Sequence, residues 1–253
     1  MLRFASLGSG SRGNATLIET DDTRVLVDCG FSVKEVELRM QRFGLTPSDL
    51  DAILVTHEHG DHIRGVGALA RKYQLPVWAS SGTLQFDGLA VLPKCKTLNV
   101  HEPKLLQDLS IVPFPVPHDA KEPCQFIFSD GKSKVGLLTD TGSITRHIIE
   151  QLDGCNALML ECNHDVEMLA DGPYPPALKR RVGGDFGHLS NHQAVDVLDK
   201  MDTCSLKRVV AMHISEKNND PALAITAVSE ALDCDYDDIL VAEQDTGFDW
   251  ITV

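Results

Sequence analysis

Residues 57–62 read His-Glu-His-Gly-Asp-His, which places three imidazoles and an aspartate within six positions. In an extended segment or tight loop, residues two apart point the same way, so His57 and His59 can reach one metal ion together. Asp61 and His62 sit at the turn into a following helical stretch, where they can address a second ion a few ångströms away. Neutral imidazole and carboxylate suit zinc, manganese or iron. The plain alternative is a polar loop that happens to be rich in histidine. The concentration of these types directly behind an apolar strand weighs against it.

Two sites need more ligands, and these must come from other strand ends. His118 follows the apolar run 111–116, Asp140 follows 135–139, and His213 follows 209–212. Each is the first metal-competent side chain past its run. Any one alone reads as an ordinary loop residue; their shared position makes them candidates for the same centre. His101, His147 and His192 lack that position and read as surface residues.

The elements that must hold these side chains are short. Residues 2–7 alternate and end in the turn Gly8-Ser9-Gly10-Ser11-Arg12-Gly13-Asn14, and 16–18 and 25–27 read as further strands. Ser32 with Glu35 forms a capping box ahead of a helix whose face carries Val33, Val36, Met40 and Phe43. Residues 52–56 form a buried strand, and 62–73 read as helix. Strands follow at 76–79, 98–100, 109–116, 125–128 and 135–139. Beyond them, strands at 157–160, 209–212 and 239–242 alternate with helices. One helix is opened by the capping box Ser190/Gln193 and runs to about Met201; another is opened by Asp220-Pro221. With no linker, repeat or low-complexity segment, residues 1–253 read as one α/β sandwich domain.

Composition bounds the partners. No run of about 18 apolar residues predicts a membrane span, and the N-terminus lacks the pattern of a secretory signal. Seven cysteines without a C-x-x-C pair suit a reducing cytoplasm, so a soluble cytoplasmic protein is expected. The net charge of −14 confines any basic stripe for a phosphate backbone to a local patch. Bound divalent ions would add positive charge that this count omits.

His-x-His-x-Asp-His followed by separated His, Asp and His, with Asp28 after an early strand, resembles the metallo-β-lactamase superfamily. The resemblance implies a four-layer αβ/βα sandwich, two mixed β-sheets flanked by helices. It also implies two divalent ions, zinc or manganese, with iron as a further option. His57, His59 and His118 would hold one, Asp61, His62 and His213 the other, and Asp140 would bridge them; Asp28 would orient ligands without touching metal. Further segments are similar to the YycJ/WalJ-like branch: the Gly/Ser turn, Glu161-Cys162-Asn163-His164-Asp165, Gly187-His188-Leu189-Ser190-Asn191 and His213-Ile214-Ser215-Glu216-Lys217-Asn218-Asn219. That branch implies a 5′→3′ DNA exonuclease.

The expected chemistry is attack on a phosphodiester by a hydroxide bridging the two ions, with Asp61 in the catalytic centre. His188 and His164 are candidates to protonate the leaving oxygen or hold the phosphate. Arg12 and Asn14 in the Gly/Ser turn and Lys217 beside His213 are candidates to bind substrate. Lys179-Arg180-Arg181 is either a steering patch or a solvated helix face. Residues 141–212, read as a strand and two helices, leave no room for an inserted clamping domain. Nucleic acid, DNA before RNA, is the expected substrate, and no membrane is expected to take part. The competing readings are hydrolysis of a small phosphodiester, lactone or thioester, redox chemistry at iron, and a non-catalytic binding module. Oligomeric state is left open.

Overall fold

A computed structural model describes all of residues 1–253. Its strands are the short aliphatic and β-branched runs, and they sort into two seven-stranded sheets. The first contains β1 (Arg3–Gly8), β2 (Ala15–Glu19), β3 (Arg24–Val27), β4 (Ala52–Val55), β5 (Pro76–Ser80) and β6 (Lys94–Leu98). The second contains β7 (Lys104–Leu106), β8 (Leu109–Pro115), β9 (Cys124–Ser129), β10 (Lys134–Leu138), β11 (Ala157–Glu161), β12 (Arg208–Met212) and β13 (Ile239–Val241). The last strand, β14 (Phe248–Thr252), returns to the first sheet and pairs antiparallel with β1. The orders are β14-β1-β2-β3-β4-β5-β6 and β13-β12-β11-β10-β9-β8-β7. Both sheets are mixed: pairing is parallel from β3 to β6 and from β10 to β13, and antiparallel elsewhere.

The helices are α1 (Val33–Gln41), α2 (Gly60–Ile63), α3 (Val66–Tyr73), α4 (Arg146–Leu152), α5 (Val166–Asp171), α6 (Pro176–Val182), α7 (Asn191–Lys200) and α8 (Pro221–Leu232). Three apolar clusters separate the layers. Phe4, Ile18, Leu54, Phe126, Phe128 and Met159 meet between the sheets. Val36 and Met40 of α1 and Leu69 and Ala70 of α3 cover the outer face of the first sheet. Ile148 of α4, Val197 of α7 and Val228 of α8 cover the outer face of the second. Each sheet is thus buried on both faces, which is why β4, Ala-Ile-Leu-Val, is apolar throughout instead of alternating. The result is the four-layer α/β sandwich expected. No helix is long and apolar enough to cross a membrane.

Both capping boxes form, Ser32 with Glu35 and Ser190 with Gln193, and Asp220 caps α8 ahead of Pro221. Three expectations need correction. The strand placed at 98–100 is β6, whose parallel register runs from Pro76↔Lys94 to Ser80↔Leu98. It is an edge strand with exposed Lys94, Cys95, Lys96 and Thr97, so it carries almost no apolar signal. The helix placed at 62–73 breaks between α2 and α3. There the Gly65 amide donates to the Cys29 carbonyl at 2.8 Å, and a Cβ would stand 1.9 Å from the Phe31 carbonyl oxygen. Residues 141–212 hold four helices, not two, the extra ones being too short for a periodic signal.

Candidate metal centre

His57 and His59 leave the carboxyl end of β4, and Asp61 and His62 lie in α2. His118, Asp140 and His213 stand just beyond β8, β10 and β12. Parallel pairing of β3 with β4, and of β10, β11 and β12, gathers these carboxyl ends along one edge of the sandwich. Ligand sites of α/β sheets form at such edges.

The ligand-competent atoms fall into overlapping groups. His57, His59 and His118 bring theirs within 4.8 Å of one another, and so do Asp61, His62 and His213. Asp140 joins the two: its Oδ2 lies 3.2 Å from His62 Nε2 and its Oδ1 3.3 Å from His213 Nδ1. Four imidazoles turn one nitrogen outward. His62 Nδ1 donates to Asp28 Oδ2 at 2.8 Å, and His118 Nδ1 to the Gly187 carbonyl at 2.9 Å. His213 Nδ1 donates to Glu161 Oε1 at 3.1 Å and His59 Nε2 to the Asp119 carbonyl at 3.2 Å. Their other nitrogens are left with lone pairs facing inward. His118 Nε2 and His59 Nδ1 are 3.1 Å apart, close enough for one ion to meet both.

Asp28 does more than hold His62. Its Oδ1 accepts from the Thr56 amide at 2.9 Å and its Oδ2 from Thr56 Oγ1 at 2.8 Å, which fixes the start of the His57–His62 segment. Asp28, Asp140 and His213 all have left-handed backbones, with φ of 60°, 51° and 53°. For a non-glycine residue this costs about 1–2 kcal/mol. Such strain concentrates where a side chain must be aimed against the preference of its strand.

These residues fit divalent ions. His57 Nε2, Asp140 Oδ2 and His213 Nε2 are buried and make no hydrogen bond, and an orphaned buried polar group costs about 1–3 kcal/mol. The charges agree. Burial opposes a proton on His213, yet Asp140, Asp61 and Glu161 raise its pKa to about 10. Burial is likewise outweighed at His62, raised well above the usual imidazole range by Asp140, Asp61 and Asp28. The carboxylates draw positive charge into this cluster, and metal ions can supply it in place of protons.

Residues 23–214 match the family described as the Beta-lactamase superfamily domain. The chain belongs to this family. It is 39% identical over 236 residues to Exodeoxyribonuclease YycJ of Bacillus anthracis, covering 92% of this chain and 89% of that one. It is 36% identical over 240 residues to Exodeoxyribonuclease WalJ of Streptococcus pneumoniae serotype 2, with the same coverage of both. Among solved structures, the metallo-β-lactamase fold protein YhfI of Bacillus subtilis superposes with a TM-score of 0.75 at 18% identity, covering 99% of this chain and 98% of that one. The fold is therefore the metallo-β-lactamase fold, and the donor types of the His/Asp clusters suit divalent-metal binding.

Within this family member, the cavity over the centre has a volume of about 380 Å³ and is bordered by His59, Asp61, Asp140, His188 and His213. His188 belongs there, with Nδ1 2.8 Å from Glu161 Oε1. Glu161 is buried; burial opposes its charge, but His188 and His213 lower its pKa to about 2. In the sequence Glu161 opens the Glu161-Cys162-Asn163-His164-Asp165 motif with no role attached to it. The strand-end rule that picked out Asp140 applies equally to Glu161, the last residue of β11.

Other candidates land elsewhere. His164 is outside this cavity: it is 3% exposed and lines a separate cavity with Lys179 and Arg180. Asn14 is buried and ties the Gly/Ser turn to the centre. Its Oδ1 accepts from Ser9 Oγ at 3.1 Å and the Gly10 amide at 2.8 Å, and its Nδ2 lies 3.1 Å from His62 Nε2. It is placed to position, not to touch a substrate. Arg12 pairs with Glu216 at 2.8 Å and Asp245 at 3.0 Å, so its charge is compensated on the surface. Lys217 lies over the Tyr174 ring, 5.8 Å from its centroid; Tyr174, not Lys217, borders the cavity. The Lys179-Arg180-Arg181 run divides. Arg181 borders the cavity and donates to Asp119 Oδ2 at 2.5 Å, two residues no spacing argument had singled out for the centre.

Proposed function

We propose that residues 1–253 act as one catalytic domain, a binuclear metal-dependent phosphodiesterase working on DNA as a 5′→3′ exonuclease. The observation that carries this reading is the pair of ligand triads joined by Asp140. There His57, His59 and His118 would hold one divalent ion and Asp61, His62 and His213 a second, with Asp140 lying between the two groups. The donor set suits zinc or manganese and also accepts iron. Bound there, such ions acidify water and neutralise charge on the phosphoryl oxygens.

The chain's own residues complete the chemistry. Asp28 and Glu161 hold the tautomers of His62 and His213, so that lone pairs face inward. His188, whose Nδ1–H is held by Glu161, donates a proton to the leaving oxygen from its other nitrogen. Arg181 offers a cation at the rim. Phe186 is 61% exposed beside the mouth, its carbonyl bonded to the Asp119 amide, and suits stacking against a base. The exodeoxyribonuclease names of YycJ and WalJ support the same substrate class.

The test is cleavage of end-labelled single- and double-stranded DNA and RNA by protein reconstituted with Mn²⁺ or Zn²⁺. Release of mononucleotides from the 5′ end, lost in Asp61→Ala, is expected. The net charge of −14 favours a second reading, hydrolysis of a small phosphodiester, lactone or thioester. Inactivity on every polymer with metals bound, together with turnover of a small diester, would select it.

A further inference from the structure

Helix α6 borders two cavities. Leu178, Arg181 and Val182 face the metal cavity, whereas Lys179, Arg180 and Gly183 border another of about 470 Å³, a size typical of small-ligand sites. No residue of α6 is buried; the helix stands as a wall between the two. A helix with its side chains is about 10–12 Å across, a span that an extended nucleic-acid strand crosses within a few nucleotides.

The second cavity combines three kinds of surface. Val166, Leu169 and Ala170 of α5 supply an apolar patch. His164 supplies a hydrogen-bonding edge: it borders the cavity, and its Nε2 lies 3.9 Å from where a Cβ on Gly183, which also borders it, would stand. Lys179 and Arg180 supply positive charge. Lys179 Nζ donates to the Ala170 carbonyl and keeps two further N–H donors. Both Arg180 and Arg181 are exposed, but Arg181 is paired with Asp119 and Arg180 has no ion pair. Apolar patch, polar edge and cationic rim are the complement of one nucleotide.

Building on the nuclease reading above, we propose that this cavity binds a second nucleotide of the DNA strand whose scissile phosphodiester occupies the metal cavity. Its base lies against Val166, Leu169 and Ala170 with its edge bonded to His164, and its phosphate faces Lys179 and Arg180. A small diester has no group to reach this cavity, so the subsite gives strands an advantage over short substrates.

The test is fluorescence anisotropy of the metal-loaded protein with a labelled, phosphorothioate-protected DNA oligonucleotide, run beside cleavage of the unprotected strand. Arg180→Glu is expected to weaken binding about tenfold, the loss of one phosphate contact. Arg146→Glu makes the same charge change on α4, which borders neither cavity, and is expected to weaken binding less than about twofold by long-range charge alone. Equal weakening by both variants assigns the effect to net charge and overturns the subsite, as does wild-type affinity in Arg180→Glu. In either case cleavage by the wild type leaves the nuclease reading standing. A wild type that neither binds nor cleaves DNA overturns both, whereas Arg180-dependent binding without cleavage removes only the nuclease.

Discussion

Glu161 Oε1 lies 2.8 Å from His188 Nδ1, and the same oxygen stands 3.1 Å from His213 Nδ1. One buried carboxylate thereby orients an imidazole of the metal set and an imidazole facing the cavity. Its Oε2 accepts from the Thr141 and Leu189 amides at 3.2 and 3.1 Å, so it has no freedom to turn. In Glu161→Gln the amide cannot accept from all these donors. Metal affinity is expected to fall about 10–100-fold, as for other residues that orient ligands, which competition with a chromogenic chelator measures. His188→Ala is expected to keep its metal content by elemental analysis while kcat falls about 10²–10⁴-fold. An ion lost from His188→Ala would place His188 among the ligands instead.

Asp28 is buried, left-handed and bonded to both Thr56 and His62. Asparagine tolerates the same backbone and can still accept from Thr56, but it lacks the charge that holds the His62 Nδ1 proton. Asp28→Asn is expected to fold and to bind metal about tenfold more weakly. Asp28→Ala also orphans buried donors and is expected to lose about 1–3 kcal/mol for each. Denaturant unfolding of the two metal-stripped variants separates these effects; equal stability would show that Thr56 does not depend on the carboxylate.

His62 and His213 carry raised pKa values because Asp140 and Asp61 face them, in spite of their burial. Both are therefore drawn toward the charged form without metal, and a ligating imidazole must give up its extra proton. Loading at pH 7 is expected to release at least the proton of His213. Calorimetry in buffers of different ionisation enthalpy reads this number directly. Loading without proton release would mean that the imidazoles are already neutral.

Burial lowers the His164 pKa to about 4, from 6.5. A base depressed in the folded state favours its neutral form there. Its contribution is therefore complete above pH 6.5 and is lost as the pH falls toward 4. The difference is worth about 3 kcal/mol. Wild-type protein stripped of metal is expected to lose that much more unfolding free energy than His164→Gln between pH 7 and pH 4. Parallel losses in the two proteins would show that His164 is solvated and free to charge.

Much of the fold was legible wherever a local rule operates. The Ser32/Glu35 and Ser190/Gln193 boxes open helices because the cap needs only residues three apart. The uniformly apolar β4 announces a strand covered on both faces. β14 was missed because its partner is β1, at the other end of the chain. β6 was displaced because an edge strand need not be apolar. In the centre, His57, His59, Asp61 and His62 stood out by their local spacing and His118, Asp140 and His213 by their strand-end positions, and the structure brings their side chains close together. Asn14 lies against His62 instead of facing the cavity, and His164 lines a separate cavity, because a residue's place in a motif does not say which way its side chain faces.

Sequence by itself determined the types of ligand and their spacing, since a strand end followed by a tight turn presents alternating side chains whatever surrounds it. It determined the strand–helix alternation for the same local reason. Only the tertiary structure decided what stands behind each ligand. Asp28 behind His62 and Glu161 behind both His213 and His188 are contacts between distant segments, 27 to 52 positions apart in the chain. It also decided that α6 divides a metal cavity from a second one. Such relationships depend on how two sheets pack and how their carboxyl ends align. Those are sums over the whole core, not properties of any one segment.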